Sequence, residues 1–465
     1  MFHLNHRVDH WFGLTCALAL SIQCSSLCAQ SILNEADALP SNVITDIANP
    51  PIVDQVRFPN PLHNRRELHG STDGSRANPN ADHLFAKFLD RLGEACGPRF
   101  DFYGYLDQGF TWNPDNPANR TNGLVLSNYR SNDYLLDAIY LVSERKIDPQ
   151  LQVFQLGGRI DTVYGTDALF MQTIGLDENI VTPAASRFYK LAFRQAYLNL
   201  FLPIGRGASV KIGTFVTPIG NETGYAPANF FYSSLLVDNI QPGTLTGFLA
   251  QYPLTDNLRV SFGPNLGWSA FNNINHSISY AGEITWTSTD KKTQIQFDFQ
   301  DGKQRTEIAS GDALTEVASG DALVVYYSLI LDRKLGDNWH YIMEHDLMTS
   351  NSRSGISEDN YQCYSLANYL IYQINSQWRS AIRVGWLQND GGRLTGVNPV
   401  PLAASGNFYD VTFGFNWQPR HHLRIRPELR YDWQNRDPDS PLPPSYDDYT
   451  SVKQWLVACD ILLEF

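Results

Sequence analysis

Beyond its first 29 residues the chain lacks any apolar run near the roughly 18 residues of a helical membrane span. The longest clear one, Leu323 to Leu331, has nine residues. A helical membrane protein is thereby excluded. Charge is also sparse, at 18% of residues, and it leans acidic, with 48 Asp and Glu against 35 Lys and Arg for a formal net of −13. A nucleic-acid binder, which needs a basic face, is excluded too. Cysteine is scarce: of the six, Cys16, Cys24 and Cys28 fall in the first 29 residues. The remaining Cys96, Cys363 and Cys459 are widely separated and odd in number, so no disulfide framework or paired-cysteine metal site exists. Aromatics, by contrast, reach 12%, with 25 Phe, 23 Tyr and 10 Trp against 4 Met. Low charge with high aromatic content argues against a disordered chain. One membrane architecture stays open, the β-barrel, whose strands need only about 9–11 residues each.

Residues 1–29 read as a secretory signal peptide, with Arg7 and three His near the start, an apolar stretch from Trp11 to Ile22, and Leu-Cys-Ala ahead of Gln30. Residues 30–98 are rich in Pro, Asn, Asp and Arg and show no strand-like alternation. They are expected to form a mostly flexible N-terminal periplasmic segment with a short helix near 84–93. From Arg99 to Phe465 the hydrophobic period changes to two, the signature of strands. Tyr409, Val411, Phe413, Phe415 and Trp417 alternate with Asp410, Thr412, Gly414 and Asn416, and Leu423, Ile425, Leu429 and Tyr431 alternate with Arg424, Arg426, Glu428, Arg430 and Asp432.

The alternation divides 99–465 into about sixteen strands, near 99–111, 133–145, 151–164, 189–201, 208–217, 244–252, 257–268, 278–287, 293–300, 322–332, 338–348, 361–372, 377–388, 408–417, 422–433 and 452–465, with 14 or 18 as the alternatives. The face of 189–201 is ambiguous, and 322–332 is apolar on both faces. Connections alternate long and short, which is the loop pattern of an outer-membrane barrel with short periplasmic turns and long external loops. All nine Trp beyond residue 29 fall near strand ends, as an aromatic girdle requires. A soluble barrel of this size would have to fill its interior with apolar side chains, more volume than they can occupy. The predicted fold is therefore all-β, an antiparallel transmembrane β-barrel.

Sites for chemistry are few. His340 and Glu344 share a strand face while His345 points the other way, a spacing that fits no zinc-protease motif. Asp115, Asp133, Asp177 and Glu178 lie in or beside long loops, as solvated carboxylates. No nucleophile elbow or phosphate loop stands out, so neither catalytic residues nor a metal nor a cofactor is expected. The nonapeptide beginning Ala309-Ser-Gly-Asp-Ala-Leu314 recurs from Ala318 and reads as a small duplication lengthening one external loop. The pore-lining candidates are the rung Arg424, Arg426, Glu428, Arg430 and Asp432 together with Arg159, Asp161, Arg259, Glu283, Asp298, Arg379 and Arg383, all expected to face inward, where charges set which solutes pass. Arg426→Glu is expected to shift ion selectivity without harming assembly.

Four stretches resemble the OmpL-like outer-membrane β-barrel porin family of Gram-negative bacteria: Tyr164-Gly-Thr-Asp167-Ala, Arg194-Gln-Ala-Tyr-Leu-Asn-Leu-Phe-Leu-Pro-Ile-Gly205, Lys211-Ile-Gly-Thr-Phe-Val-Thr-Pro-Ile-Gly220 and Arg426-Pro-Glu-Leu-Arg-Tyr-Asp-Trp433. The resemblance spans 99–465 and implies a porin-like barrel, with no catalytic residues to carry over. Together the readings predict a passive-diffusion channel in the outer membrane for small hydrophilic solutes. The alternative is a closed barrel whose external loops bind a partner or surface glycan. The expected partners are the lipid bilayer and lipopolysaccharide, small polar solutes, a homotrimer of the chain, and the outer-membrane assembly machinery, with Phe465 as the assembly signal.

Overall fold

The computed structural model describes residues 100–465 apart from 183–184, 274–275, 306–320, 351–360, 391–404 and 441. The expected secretory signal, the helix expected near 84–93 and most of the duplicated nonapeptide lie outside the described residues. Sixteen strands follow in order: β1 (Phe100–Trp112), β2 (Tyr134–Arg145), β3 (Gln155–Gly165), β4 (Lys190–Leu202), β5 (Ala208–Val216), β6 (Thr244–Pro253), β7 (Leu258–Trp268), β8 (Ser279–Thr287), β9 (Thr293–Arg305), β10 (Asp321–Leu335), β11 (Trp339–Ser350), β12 (Tyr361–Gln373), β13 (Trp378–Asp390), β14 (Gly406–Arg420), β15 (Leu423–Arg436) and β16 (Lys453–Glu464). Each pairs antiparallel with its neighbours in sequence, and β16 returns to β1 to close the sheet. Beyond the last ladder pair, Gly104 and Phe465 exchange N–H···O bonds of 2.9 and 3.0 Å. Closure matters because an open edge in hydrocarbon would leave backbone groups unsatisfied.

Period two decides which side chain meets which solvent. On β14, Asp410 and Thr412 are fully buried in the interior, whereas Phe413 between β13 and β15 is 45% exposed on the outside. The outer wall carries further apolar side chains of this kind, among them Leu198, Phe248, Phe262, Ile284, Val384, Leu429 and Val457. Such a wall is unfavourable in water and fits lipid.

The loop parity also holds. Short connections such as 203–207, 254–257, 336–338 and 374–377 gather at one end, and long ones at the other. One turn is longer than the sequence suggests: β3 begins at Gln155 rather than near 151. A 3-10 turn at Pro149–Leu151 intervenes, started by Asp148, whose carboxylate accepts from Gln150 N at 3.0 Å.

Two ambiguous strands now have physical explanations. Inward-facing residues of β4 run Lys190, Ala192, Arg194 and then Gln195, Tyr197, Asn199. A register shift against β3 at Asp161/Thr162 leaves Arg194 without a ladder partner, and the parity switches there. A bulge of one residue does this to any strand. β10 is apolar on both faces because its interior side, Val324, Tyr326 and Ile330, packs against apolar residues of an inserted loop. One Trp departs from the girdle: Trp268, at the loop end of β7, packs edge-on to Tyr326 at 6.0 Å beside the interior cluster.

Candidate functional site

The loop is 217–243, the long connection from β5 to β6, and it turns into the barrel. Its Phe230, Phe231, Leu235, Leu236, Val237 and Ile240 form one buried cluster with the interior residues of β10 to β14. Apolar burial draws the loop in; charged groups on the wall determine where it sits. Two short 3-10 turns, Ala226–Ala228 and Leu236–Ile240, shape it.

Arginines of the wall grip the loop's carbonyl oxygens. Arg426 Nη1 donates to Ala226 O, Asn229 O and Phe231 O, each at 3.0 Å. Its Nε and Nη2 hold Asp460 of β16 as a fork. Arg424 donates to Pro227 O at 2.7 Å and pairs with Glu464 at 3.2 Å. Arg383 donates to Ser233 O at 2.9 Å and Ser234 O at 3.2 Å while pairing with Glu222 at 2.9 Å and Asp410 at 3.2 Å. Arg430 donates to Ser234 O at 2.5 Å and pairs with Asp432 at 2.8 Å. Carboxylates take the complementary role with the loop's N–H groups. Glu428 accepts from Tyr232 N at 2.9 Å and Ser233 N at 3.1 Å, and Glu344 of β11 accepts from Asn221 N at 3.1 Å. Each such bond is charge-assisted, and hence stronger than a neutral one.

The sequence-predicted charges all face inward, but the structure does not bring them into one ring. Arg383, Arg424, Arg426, Glu428, Arg430 and Asp432 converge on the loop. Arg159 forms its own pair with Asp161 at 2.6 Å, and Arg259 pairs with Glu283 at 2.9 Å. Asp298 accepts from Gln296 at 2.8 and 2.9 Å, and Arg379 stands over the Phe230 ring at 5.5 Å. Arg426 therefore meets the loop rather than open water. Arg426→Glu would add a carboxylate beside Asp460 and release three carbonyl groups, so the expectation of harmless charge reversal is corrected.

Sequence reading missed the buried acids around this rung. Asp107 of β1 stands 3.8 Å from Arg426, and Tyr232 of the loop donates to Asp137 of β2 at 3.0 Å. Gly109 makes room for that contact, since a Cβ there would lie 2.5 Å from the Tyr232 ring. Across the interior, Gln241 donates to Glu344 at 2.9 Å and Asp346 at 3.3 Å. Glu344 and Asp460 stand at inward positions of alternating strands, so parity could have identified them; a bulge hid Asp137, where β1 and β2 shift register. The loop acids feel their burial. Desolvation, then Glu222 and Glu344, hold the Asp238 carboxyl well above the usual range. His340 bonds Asp332 at 2.8 Å inside the barrel, and His345 bonds Tyr364 at 2.7 Å on the outer face. Among the described residues no cluster of His, Cys, Asp or Glu is disposed to hold a metal.

At the external end, Asp167 starts a short helical turn, α1 (Ala168–Met171), and Asp177 accepts from Thr173 N at 2.7 Å and Phe193 N at 2.6 Å. Burial pushes Asp167 up to about 7 against the pull of Arg426, and pushes Asp177 up to about 6 despite its two N–H donors. Both folded-state values exceed the unfolded value of 3.8, so the folded chain binds protons more tightly. That contribution is fully present below the unfolded value and is lost as pH rises through about 6 to 7. The thermal midpoint of the folded barrel should thus fall between about pH 5 and about pH 8, and Asp167→Asn should flatten the fall. Melting curves followed by circular dichroism check this; an unchanged slope in the variant would remove Asp167 from the account.

Comparisons with known proteins agree with this architecture. The family model described as "putative beta-barrel porin-2, OmpL-like" matches residues 99–465. Among solved structures, OprB of Pseudomonas putida is similar at 13% identity and a TM-score of 0.51, covering 82% of this chain and 97% of that one. The outer membrane channel DcaP of Acinetobacter baumannii aligns at 12% identity with a TM-score of 0.49, over 79% and 97% of the two chains. Comparison with curated protein sequences gives no match. Identities this low speak to the fold; the family match, covering the whole barrel, speaks to the chain. The chain belongs to the OmpL-like β-barrel porin-2 family, and is a porin of the outer membrane for passive diffusion.

Proposed function

We propose that small hydrophilic solutes cross by a narrow path whose width is set by loop 217–243. The observation that carries this reading is the anchoring of that loop: Arg383, Arg424, Arg426 and Arg430 hold its carbonyl oxygens, and Glu344 and Glu428 hold its N–H groups. Because most of these charges are paired with one another, the path discriminates only weakly between simple cations and anions. No catalysis, cofactor or energy coupling enters. Homotrimer assembly, and recognition of Phe465 by the assembly machinery, belong to the same proposal.

Planar-bilayer recording of refolded protein tests it. Discrete steps of low conductance, with a reversal potential close to zero in asymmetric KCl, are expected. The packed interior also favours a second reading, a closed barrel whose external loops bind a partner or surface glycan. A folded barrel that inserts without conductance steps would select that reading.

A further inference from the structure

Most buried cations of the described lumen form an ion pair with a carboxylate, as Arg159, Arg383, Arg426 and Arg430 do. Lys211 does not. It sits on β5 at the start of the Lys211–Gly220 stretch, points inward and is 6% exposed. Its ammonium lies over the Tyr197 ring of β4, 4.9 Å from the centroid. Among the described residues it has no ion pair and no hydrogen-bond acceptor. An isolated ammonium removed from water without an acceptor is costly, so the site is built for a group that the chain itself does not supply.

The surroundings say what that group is. Lys211 lines a recess in the turn-end half of the lumen with Ser209, Leu249, Gln251, Ser261 and Glu283. One further donor there is idle: the buried Ser261 hydroxyl has no partner. Glu283 does not fill the gap, because it is engaged by Arg259 Nη2 at 2.9 Å and by the Thr285 hydroxyl. Two donors, one of them a full charge, thus line a recess whose carboxylate is already engaged. A second unmatched cation, Arg194, stands at the β4 bulge toward the loop end of the neighbouring strand; its Nε is buried without a partner. The two cations mark a track down the β4–β5 wall.

We propose that the recess is a binding site for a small hydroxylated monocarboxylate in transit through the pore. The carboxylate meets Lys211, and the hydroxyl groups meet Ser209, Gln251 and Ser261. Glu283 disfavours a second negative charge, so dicarboxylates bind less well. The ligand class deepens the porin reading and rests on it for the route by which the solute arrives.

The test uses the full refolded chain and lactate as probe, in two measurements. Isothermal titration of lactate into the barrel in detergent should give saturable binding, weakened about tenfold or more in Lys211→Met and kept in Lys211→Arg. Succinate should bind less well than lactate. In bilayers, lactate should reduce the chloride current of the wild type and leave that of Lys211→Met unchanged. Circular dichroism and heat-resistant migration establish that each variant is folded. Equal lactate binding by folded wild type and Lys211→Met, or none by the wild type, overturns the site even where the pore conducts. Lysine-dependent binding in a barrel that never conducts supports the site and removes the porin reading instead.

Discussion

Replacing Arg426 with Met should destabilise the barrel by about 3–5 kcal/mol, the cost of removing one partner from a buried ion pair. It should also raise the single-channel conductance. Arg426 satisfies Asp460 and three loop carbonyl groups at once, and it is the cation nearest Asp107. Without it, Asp460 is left buried beside other carboxyl groups, and the loop segment 226–231 loses three of its bonds to β15. Arg426→Lys should fall between wild type and Arg426→Met, because an ammonium keeps the charge but cannot span Asp460 and three carbonyls as the guanidinium fork does. Urea unfolding in detergent reads the stability, and bilayer recording reads the opening. A large loss of stability with unchanged conductance would mean that the loop does not set the width of the path.

The barrel was legible in the sequence because a strand between lipid and interior must alternate, and because parity of loop length follows from topology. The strand limits on β7, β8 and β12 match the sequence-based ones to within one residue at each end. Difficulties arose where period two is broken or where its second face is not aqueous. The bulge at Arg194 reversed the parity of β4, and the interior of β10 was apolar because it meets Phe230 and its neighbours rather than water. The charged rung was legible as inward-facing but not in its role. Nothing in the alternation of 217–243 reveals that this loop enters the barrel. That depends on wall residues far away in sequence, such as Arg424, whose partner Pro227 lies 197 positions away. Lys211 was visible as part of a family-like stretch, but its lack of an ion pair appears only in three dimensions.

Those same alternating faces give the second large effect. Phe413 lies at the middle of β14, points outward, and is flanked across the sheet by Ile382 and Leu429, with Phe415 edge-on at 5.1 Å. Phe413→Arg brings a guanidinium into the hydrocarbon midplane, at a cost of about 2–4 kcal/mol, whereas the same change near the interface costs about 0–1 kcal/mol. The interior control must be chosen with care. Thr412, the inward neighbour, is unsuitable, because its hydroxyl lies 3.3 Å from both Arg383 Nη2 and Asp410, in a fully buried position. An arginine there would confront Arg383 and displace the loop. Gln251, which lines the recess beside Lys211, is the better choice, and Gln251→Arg should cost less than about 1 kcal/mol because its side chain can remain hydrated. Unfolding in lipid vesicles, with Phe413→Leu included to separate lost packing from added charge, reads the difference. Equal costs for Phe413→Arg and Gln251→Arg would place water, not hydrocarbon, against the outer wall.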